Sequence, residues 1–110
     1  MACGRLKKSW EFKQVYRFGQ ALVTRNVVLY FCTNSIEGNR LGFSISKKVG
    51  GSVERHRIKR IYREAFHHLQ DMLKKGYDFV IVARKPAVKM DYFSAKEELL
   101  SLCKKGKLLK

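Results

Sequence analysis

The sequence predicts an α+β fold, a two-layer sandwich in which helices pack against a mostly antiparallel sheet. Three observations predict it. Residues 40–46 alternate apolar residues with small or polar ones, as in a strand with one buried face. Residues 52–75 repeat apolar residues at helical spacing, and residues 78–83 contain the continuous apolar run of a strand covered on both faces. These segments form a βαβ unit, and the predicted order is helix, two or three strands, long helix, strand, helix.

The first predicted element is a helix over residues 9–18. Ser9 is a suitable N-cap, and Glu11 in the first turn favours the helix dipole. Trp10 and Phe18 lie off the apolar stripe of this helix. The stripe consists of Phe12, Val15 and Tyr16.

Two strands are predicted next, over residues 21–24 and 27–33, because both stretches are rich in β-branched and aromatic residues. Residues 34–39 are typical of a hairpin loop. One face of the strand that follows has almost no side-chain bulk, since it consists of Gly42, Ser44 and Ser46. Such a face lets either a helix pack tightly or a ligand approach the sheet, and the sequence leaves both readings open. A last helix is predicted from about Asp91.

The chain of 110 residues is long enough for one core, so we expect a single domain with flexible basic tails at 1–8 and 104–110. It contains 24 Lys and Arg against 9 Asp and Glu, a formal net charge of +15. A charge of this size indicates a polyanionic partner, most commonly nucleic acid. The alternative is a basic protein that has no such partner.

Cysteine usage and hydropathy indicate the compartment. Cys3, Cys32 and Cys103 are far apart and have no histidine at ligand spacing, which favours reduced thiols over a disulfide framework or a zinc site. No apolar run has the length of a signal peptide or a membrane span. We therefore expect a cytoplasmic protein with no membrane partner.

The segment KKVGGSVERHRIKRIYREAF, residues 47–66, is the strongest functional signal. A helix that begins at Ser52 has a buried face predicted to comprise Ile58, Ile61, Tyr62, Ala65, Leu69 and Met72. The candidate RNA-binding residues are Lys47, Lys48, Arg55, His56, Arg57, Lys59, Arg60 and Arg63. Arginine binds phosphate through two parallel hydrogen bonds, and a rigid helix holds several arginines in a fixed row. The alternative is that these cations only solvate an outer helix face.

Phe12, Tyr16 and Tyr30 suggest a second surface. Aromatic side chains stack on unpaired bases, each contributing about 1–3 kcal/mol, and nearby arginines would help to hold a single strand. The alternative is that all three are ordinary core residues.

Catalytic residues are not predicted on the protein. A two-metal nuclease needs clustered carboxylates, whereas the nine acids here are scattered. His67 and His68 are neighbours on a helix, so their side chains point about 100° apart and do not converge on one substrate. We expect neither a catalytic nor a metal site on the chain.

Several stretches together resemble the bacterial ribonuclease P protein family. They are the 47–66 segment, RLKK near the start, the F-x-x-V-Y of the first helix, RNVVLYF, LGFSISKKVG and YDFVIVARKPA. The resemblance covers nearly the whole chain. It implies a small basic protein that assists a catalytic RNA in removing the 5′ leader of precursor tRNA. It further implies that Mg²⁺ is bound mainly by the RNA and that the protein is a monomer, inactive alone, in one RNA–protein complex.

The resemblance also implies a fold and residue roles. The order is α-β-β-β-α-β-α, with a mostly antiparallel four-stranded sheet and a left-handed βαβ crossover, although crossovers are right-handed in about 98% of cases. The cations above would contact the catalytic RNA. The cleft for the leader maps onto Phe12, Tyr16, Tyr30, Ser44 and Ser46.

One residue departs from the family pattern, since His56 stands where the motif has Asn. Histidine supplies a donor and, when neutral, an acceptor, so we expect His56 to keep a polar contact. Two rival functions remain: a self-sufficient protein nuclease, and a ribosome-associated structural RNA-binding protein with no role in tRNA processing.

Overall fold

Five strands and three α-helices are present among residues 4–110, the part of the chain that the computed structural model describes. In chain order they are β1 (Gly4–Arg5), α1 (Ser9–Phe18), β2 (Gln20–Val23), β3 (Val27–Thr33), β4 (Arg40–Ser44), α2 (Ser52–Leu69), β5 (Tyr77–Ala83) and α3 (Tyr92–Lys105). Short 3-10 helices follow α2 at Gln70–Met72 and precede α3 at Lys85–Lys89. The helix–strand pattern expected from periodicity is present, with one strand added at the start.

The strands form one mixed sheet in the order β1-β4-β5-β3-β2. β4 is parallel to both β1 and β5, whereas β3 is antiparallel to β5 and β2. The α+β class is confirmed. The sheet has five strands rather than four and is not mostly antiparallel, because Gly4–Arg5 pairs in parallel with Arg40 and Leu41. The handedness of the β4-α2-β5 crossover stays a prediction.

Helices cover both faces of the sheet. On one face, α2 and α3 pack on a core that includes Leu29, Phe79 and Ile81. On the other face, a smaller cluster joins Val15 of α1 to Val80 of β5. The predicted two-layer sandwich therefore has a third, partial layer formed by α1. β5 is buried from both sides, as its continuous apolar run predicted.

The contact between α1 and the sheet depends on a missing side chain in β4. A Cβ atom built on Gly42 would lie 2.6 Å from Cζ of Phe12, a distance that real Cβ contacts do not show. Gly42 pairs with Val80, which pairs in turn with Tyr30, so this row of the sheet lies beneath the helix. Of the two readings of the small-residue face, helix packing is the correct one at Gly42.

An ion-pair network fixes the start of α1 on the same face. Arg40 donates from Nε and Nη2 to Oδ1 and Oδ2 of Asp78, at 2.8 and 2.7 Å, and from Nη1 to Oε2 of Glu11 at 2.8 Å. Oε1 of Glu11 accepts hydrogen bonds from the backbone N–H groups of Lys8 and Lys7, at 2.8 and 2.9 Å. These N–H groups, followed by the Arg40 charge, lower the pKa of the Glu11 carboxyl although burial opposes the shift.

Three sequence-based expectations are wrong in detail. Residues 34–39 do not form a hairpin loop, because β5 lies between β3 and β4 in the sheet. Leu6 and Leu108 are buried, and the Leu108 carbonyl accepts a 2.7 Å hydrogen bond from Lys74 N–H, while the flexibility of the tails at 1–8 and 104–110 stays a prediction. The first three residues lie outside the described part. Met72 is 47% exposed, since the α-helix ends at Leu69 and the chain changes direction through a 3-10 turn. Strand β4 ends at Ser44, two residues earlier than expected.

Cys32 and Cys103 are free thiols, and Cys3 lies outside the described residues. Burial raises the pKa of the Cys103 thiol to about 11. None of the helices in residues 4–110 is long and apolar enough to cross a membrane.

The Glu11 contacts predict a pH-dependent contribution to stability. Because folding lowers the pKa of Glu11, its carboxylate stabilises the native state above the unfolded pKa of about 4.3, and this contribution is lost as the pH falls through the folded pKa. Replacing Glu11 by Gln should lower the free energy of unfolding by about 1 kcal/mol at pH 7. Urea denaturation at several pH values measures the effect.

The difference between wild type and Glu11→Gln should shrink as the pH falls below about 4.3. Replacing the exposed Glu97 by Gln is the matched control and should leave stability unchanged at each pH. A Glu11→Gln deficit that stays constant down to pH 2 would contradict this role of the carboxylate.

Candidate nucleic-acid interface

Helix α2 has one buried side and one charged side. Ile58, Tyr62 and Phe66 are buried against the sheet, and this burial leaves the opposite side of the helix facing water. His56, Arg60 and His67 are exposed, while Lys59 and Arg63 are half-buried. The buried side is as expected at Ile58, Tyr62, Ala65 and Leu69, and Phe66 joins it. The cationic side chains of α2 therefore form a row held by a rigid, packed helix.

The first turn of α2 is fixed by local hydrogen bonds. Oε1 of Glu54 accepts from the Gly51 N–H at 2.9 Å, and Nε of Arg55 donates to the Gly50 carbonyl at 3.2 Å. Lys47 and Lys48 are exposed in the turn that leads into this helix, next to the buried Val49. The two lysines and Arg55 thus lie at the same end of the helix.

Arg57 differs from the other candidate cations. Its Nη1 and Nη2 atoms donate to the carbonyls of Val88 and Met90, at 3.1 and 2.8 Å. These bonds join α2 to the segment that precedes α3. The geometry assigns Arg57 a role in the fold, and its predicted contact with RNA stays a prediction.

Arg5 is a cation that the sequence patterns did not single out. β1 places it beside α2, where Arg5, Arg60 and Arg63 line a groove of about 370 Å³. Cζ of Arg63 lies 5.4 Å from the centre of the Phe43 ring. Burial, and then the charge of Arg5, lowers the pKa of the Arg63 guanidinium. An anion bound in this groove would be attracted by both guanidinium groups.

We define the cationic face by the side chains that line this groove and its continuation along α2. It consists of Arg5, Arg55, His56, Lys59, Arg60 and Arg63; Arg57 also lines it, but we leave it out of the definition because its guanidinium donates to the carbonyls of Val88 and Met90. The basic stretch RLKK was visible in the sequence, but the position of Arg5 depends on the pairing of β1 with β4, about 35 residues away. Periodicity in the sequence predicts structure within one element and cannot predict a pairing between distant strands.

The aromatic candidates converge on the other face of the sheet. The ring centres of Tyr16 and Tyr30 are 4.8 Å apart in an edge-to-face arrangement, and Phe12 lies over Gly42. Burial raises the pKa of the Tyr16 phenol, whereas a hydrogen bond with the Ser44 side chain lowers it. Tyr16 is 39% exposed, so its ring remains accessible. We call Phe12, Tyr16, Tyr30 and Ser44 the aromatic cleft.

The floor of the aromatic cleft is a row of residues beside α1. Ser44 pairs with Val82, and Val82 pairs with Val28, so the three side chains project from the same face of the sheet. Val28, Val82 and Ser44 are each only partly buried. Ser46 is exposed beyond the end of β4 and is not part of the packed cleft. A floor of this kind, flanked by two tyrosines, is suited to stacking bases.

Strand β4 belongs to both surfaces. Phe43 points to the α2 side and contacts Arg63, whereas Ser44 points to the α1 side and contacts Tyr16. Because neighbouring residues of a strand alternate between faces, one strand connects the cationic face to the aromatic cleft.

Potential metal ligands do not cluster in the described part of the chain. Residues 4–110 contain no group of three or more His, Cys, Asp or Glu side chains that could hold a metal ion. His67 lines the groove beside Arg63, while Nδ1 of His68 contacts the Tyr92 hydroxyl on α3. The two ring centres are 5.8 Å apart, so the histidines are neighbours in space although their other contacts differ. His56 is exposed, and its expected polar contact stays a prediction.

Known proteins show the same sequence pattern. A family model described as Ribonuclease P matches residues 1–107. The ribonuclease P protein component of Natranaerobius thermophilus is 43% identical over 104 residues, which cover 94% of this chain and 90% of that protein. The protein of the same name from Listeria welshimeri is 41% identical over 109 residues, which cover 96% of this chain and 90% of that protein.

Solved structures show the same fold. The Staphylococcus aureus RNase P protein superposes with a TM-score of 0.87 at 34% identity, over 96% of this chain and 97% of that chain. The RNase P protein of Thermotoga maritima gives a TM-score of 0.83 at 30% identity, over 92% and 96% of the two chains. Ribonuclease P is an endoribonuclease and a ribonucleoprotein that processes tRNA. Because sequence and fold agree over nearly the whole length, the chain belongs to the ribonuclease P protein family and is a protein subunit of that enzyme.

Proposed function

We propose that the cationic face binds the catalytic RNA of ribonuclease P and that the aromatic cleft binds the 5′ leader of precursor tRNA. The observation that carries the proposal is that β4 contributes to both surfaces, through Phe43 on one face and Ser44 on the other. A strand fixed within a sheet holds the two surfaces at a constant separation. The subunit thereby positions the leader relative to the RNA that it binds.

We further propose that hydrolysis occurs on the RNA, with Mg²⁺ bound by RNA phosphates. The net charge of +15 makes the protein surface unfavourable for a divalent cation and favourable for phosphate. By neutralising phosphates, the cationic face lowers the repulsion between catalytic RNA and precursor tRNA. The same charge favours one copy of the protein in each complex, because like-charged copies repel one another. We place this complex in the cytoplasm.

The two rival functions are less well supported. A ribosome-associated structural role has no support among the relatives, which are ribonuclease P protein components. A self-sufficient nuclease would need converging catalytic side chains. The ring centres of His67 and His68 are 5.8 Å apart, but His67 lines the groove beside Arg63 whereas Nδ1 of His68 contacts the Tyr92 hydroxyl.

The first test is reconstitution. The protein with Mg²⁺ should leave precursor tRNA intact, whereas the protein with the catalytic RNA should release the leader. Gel analysis of the tRNA 5′ end measures both reactions. Leader removal by protein free of RNA would assign the chemistry to the protein and refute the proposal.

The cationic face is tested by comparing Arg60 with Arg57. Arg60→Ala should weaken binding of the catalytic RNA and lower the slope of log K against log salt by about one unit or less, because one phosphate contact is removed. Stability should not change, because the Arg60 side chain is exposed.

Arg57→Ala should behave differently, because it removes the hydrogen bonds to the carbonyls of Val88 and Met90. We expect a fall of about 1–3 kcal/mol in unfolding free energy. Salt-dependent binding and urea denaturation of both variants separate the two roles. An unchanged salt slope for Arg60→Ala would show that this side chain is solvated in the complex.

The aromatic cleft is tested with Tyr16. Tyr16→Ala should weaken binding of precursor tRNA to the reconstituted enzyme by about 1–3 kcal/mol, because a base loses its stacking partner. Mature tRNA, which has no leader, should bind as before. Tyr16→Phe keeps the ring and serves as the matched control. An equal loss of affinity for both RNAs would contradict a leader site here.

A further inference from the structure

Helix α1 divides its face of the sheet into two grooves. The aromatic cleft lies on one side of the helix. On the other side lies a groove of about 600 Å³, whose floor includes Cys32 and the paired side chains of Arg40 and Asp78. Its apolar walls come from α1 and from the loop after β3. We call this the lateral groove and define it by Trp10, Gln14, Phe18, Cys32 and Ile36.

The walls of the lateral groove expose large apolar side chains. Trp10 is 58% exposed, Phe18 is 66% exposed and Ile36 is 46% exposed. The helix needs neither aromatic ring for its packing, because Val15 and Phe12 make the contacts with the sheet. Exposed aromatic residues that cluster along one groove mark a binding surface.

Trp10, Gln14 and Phe18 follow one side of α1. Successive members are four residues apart, so each is rotated by about 40° from the one before, and the three span about 12 Å along the axis. Bases stack at a spacing of about 3.4 Å, so this length accommodates at least two. The Gln14 amide, midway between the rings, can both donate to and accept from the edge of a base.

We propose that the lateral groove binds an unpaired RNA segment, with bases stacked on Trp10 and Phe18. Charge selects this occupant. A second copy of a chain that carries a net charge of +15 is repelled, whereas RNA is attracted. Arg40 pairs with both Asp78 and Glu11, which leaves one net negative charge near the floor, and the exposed cations Lys13 and Arg17 on α1 outweigh it.

Cations suited to the phosphates lie close to the groove. Lys13 and Arg17 are exposed on α1, between the lateral groove and the aromatic cleft. The guanidinium carbon of Arg17 lies 5.3 Å from the centre of the Phe18 ring, which leaves the other face of that ring for a base. Bases in the groove would thus stack on aromatic rings, and the phosphates above α1 would pair with Lys13 and Arg17.

The lateral groove is separate from the proposed leader site, because α1 lies between the two. Its occupant is a single-stranded RNA segment other than the leader, either a second stretch of the substrate or a part of the RNA partner. The leader proposal does not depend on this occupant. The proposal therefore goes beyond the function proposed above and needs only that the protein meets single-stranded RNA.

Trp10 provides a direct test, because it is the single tryptophan of the chain. The whole protein is titrated with a short oligoadenylate at low salt while the tryptophan fluorescence is recorded. We expect saturable quenching, because a base stacks on the indole. Phe18→Ala should weaken the apparent affinity roughly tenfold. Phe93→Ala is the matched control, since Phe93 on α3 is 74% exposed and distant from the groove in the chain; it should have no effect.

Three results would overturn the proposal. One is the absence of quenching, and another is an equal effect of Phe18→Ala and Phe93→Ala. The third is quenching that appears on raising the protein concentration without RNA, which would assign the groove to a second copy of the chain.

Tyr16→Ala distinguishes this groove from the leader site. It should lose the discrimination between precursor and mature tRNA and yet keep the quenching of Trp10. Phe18→Ala should weaken the quenching of Trp10 and yet keep the discrimination between precursor and mature tRNA. If Tyr16→Ala abolishes the quenching, the signal comes from the aromatic cleft and the lateral groove is not a separate site.

Discussion

The Arg40 guanidinium is the contact on which both surfaces of α1 depend. It joins β4 to β5 through Asp78 and joins the sheet to α1 through Glu11. Because the pairs are largely shielded from water, loss of one partner leaves a charge with reduced solvation and is costly. The position of α1 across the sheet then determines where the aromatic cleft ends and the lateral groove begins. This interaction within the fold thus sets the shape of the two surfaces that we propose to bind RNA.

Local patterns in the sequence were sufficient for most elements. The apolar period of α2 identified Ile58 and Tyr62 as buried, and the apolar run of β5 identified a central strand, because both signals report neighbours within one element. Helical periodicity wrongly predicted that Met72 is buried, because the α-helix has ended before this residue and Met72 lies in a 3-10 turn. β1 was missed because two residues carry no period, and its pairing with β4 is a tertiary contact.

In the candidate site, too, the sequence predicted the contacts within one element but not those between distant segments. The cationic row on α2 follows from helical geometry, whereas the position of Arg57 depends on carbonyls more than 30 residues away. Its charge in the sequence is the same as that of Arg60, yet the Arg57 guanidinium is bonded to backbone carbonyls whereas the Arg60 side chain is exposed. The Tyr16–Tyr30 contact was suggested by residue type, but only the packing of α1 across Gly42 brings the two rings together.

The short length of β1 has a consequence for solubility. β1 pairs with β4 only at Arg40 and Leu41, so within the described residues the outer edge of β4 beyond Leu41 has no strand partner. Open strand edges template association between chains, and here the net charge of +15 keeps copies apart. A polyanion that neutralises the charge without covering the edge removes this protection. The free subunit is therefore most prone to aggregate where a polyanion neutralises its charge and leaves the β4 edge open.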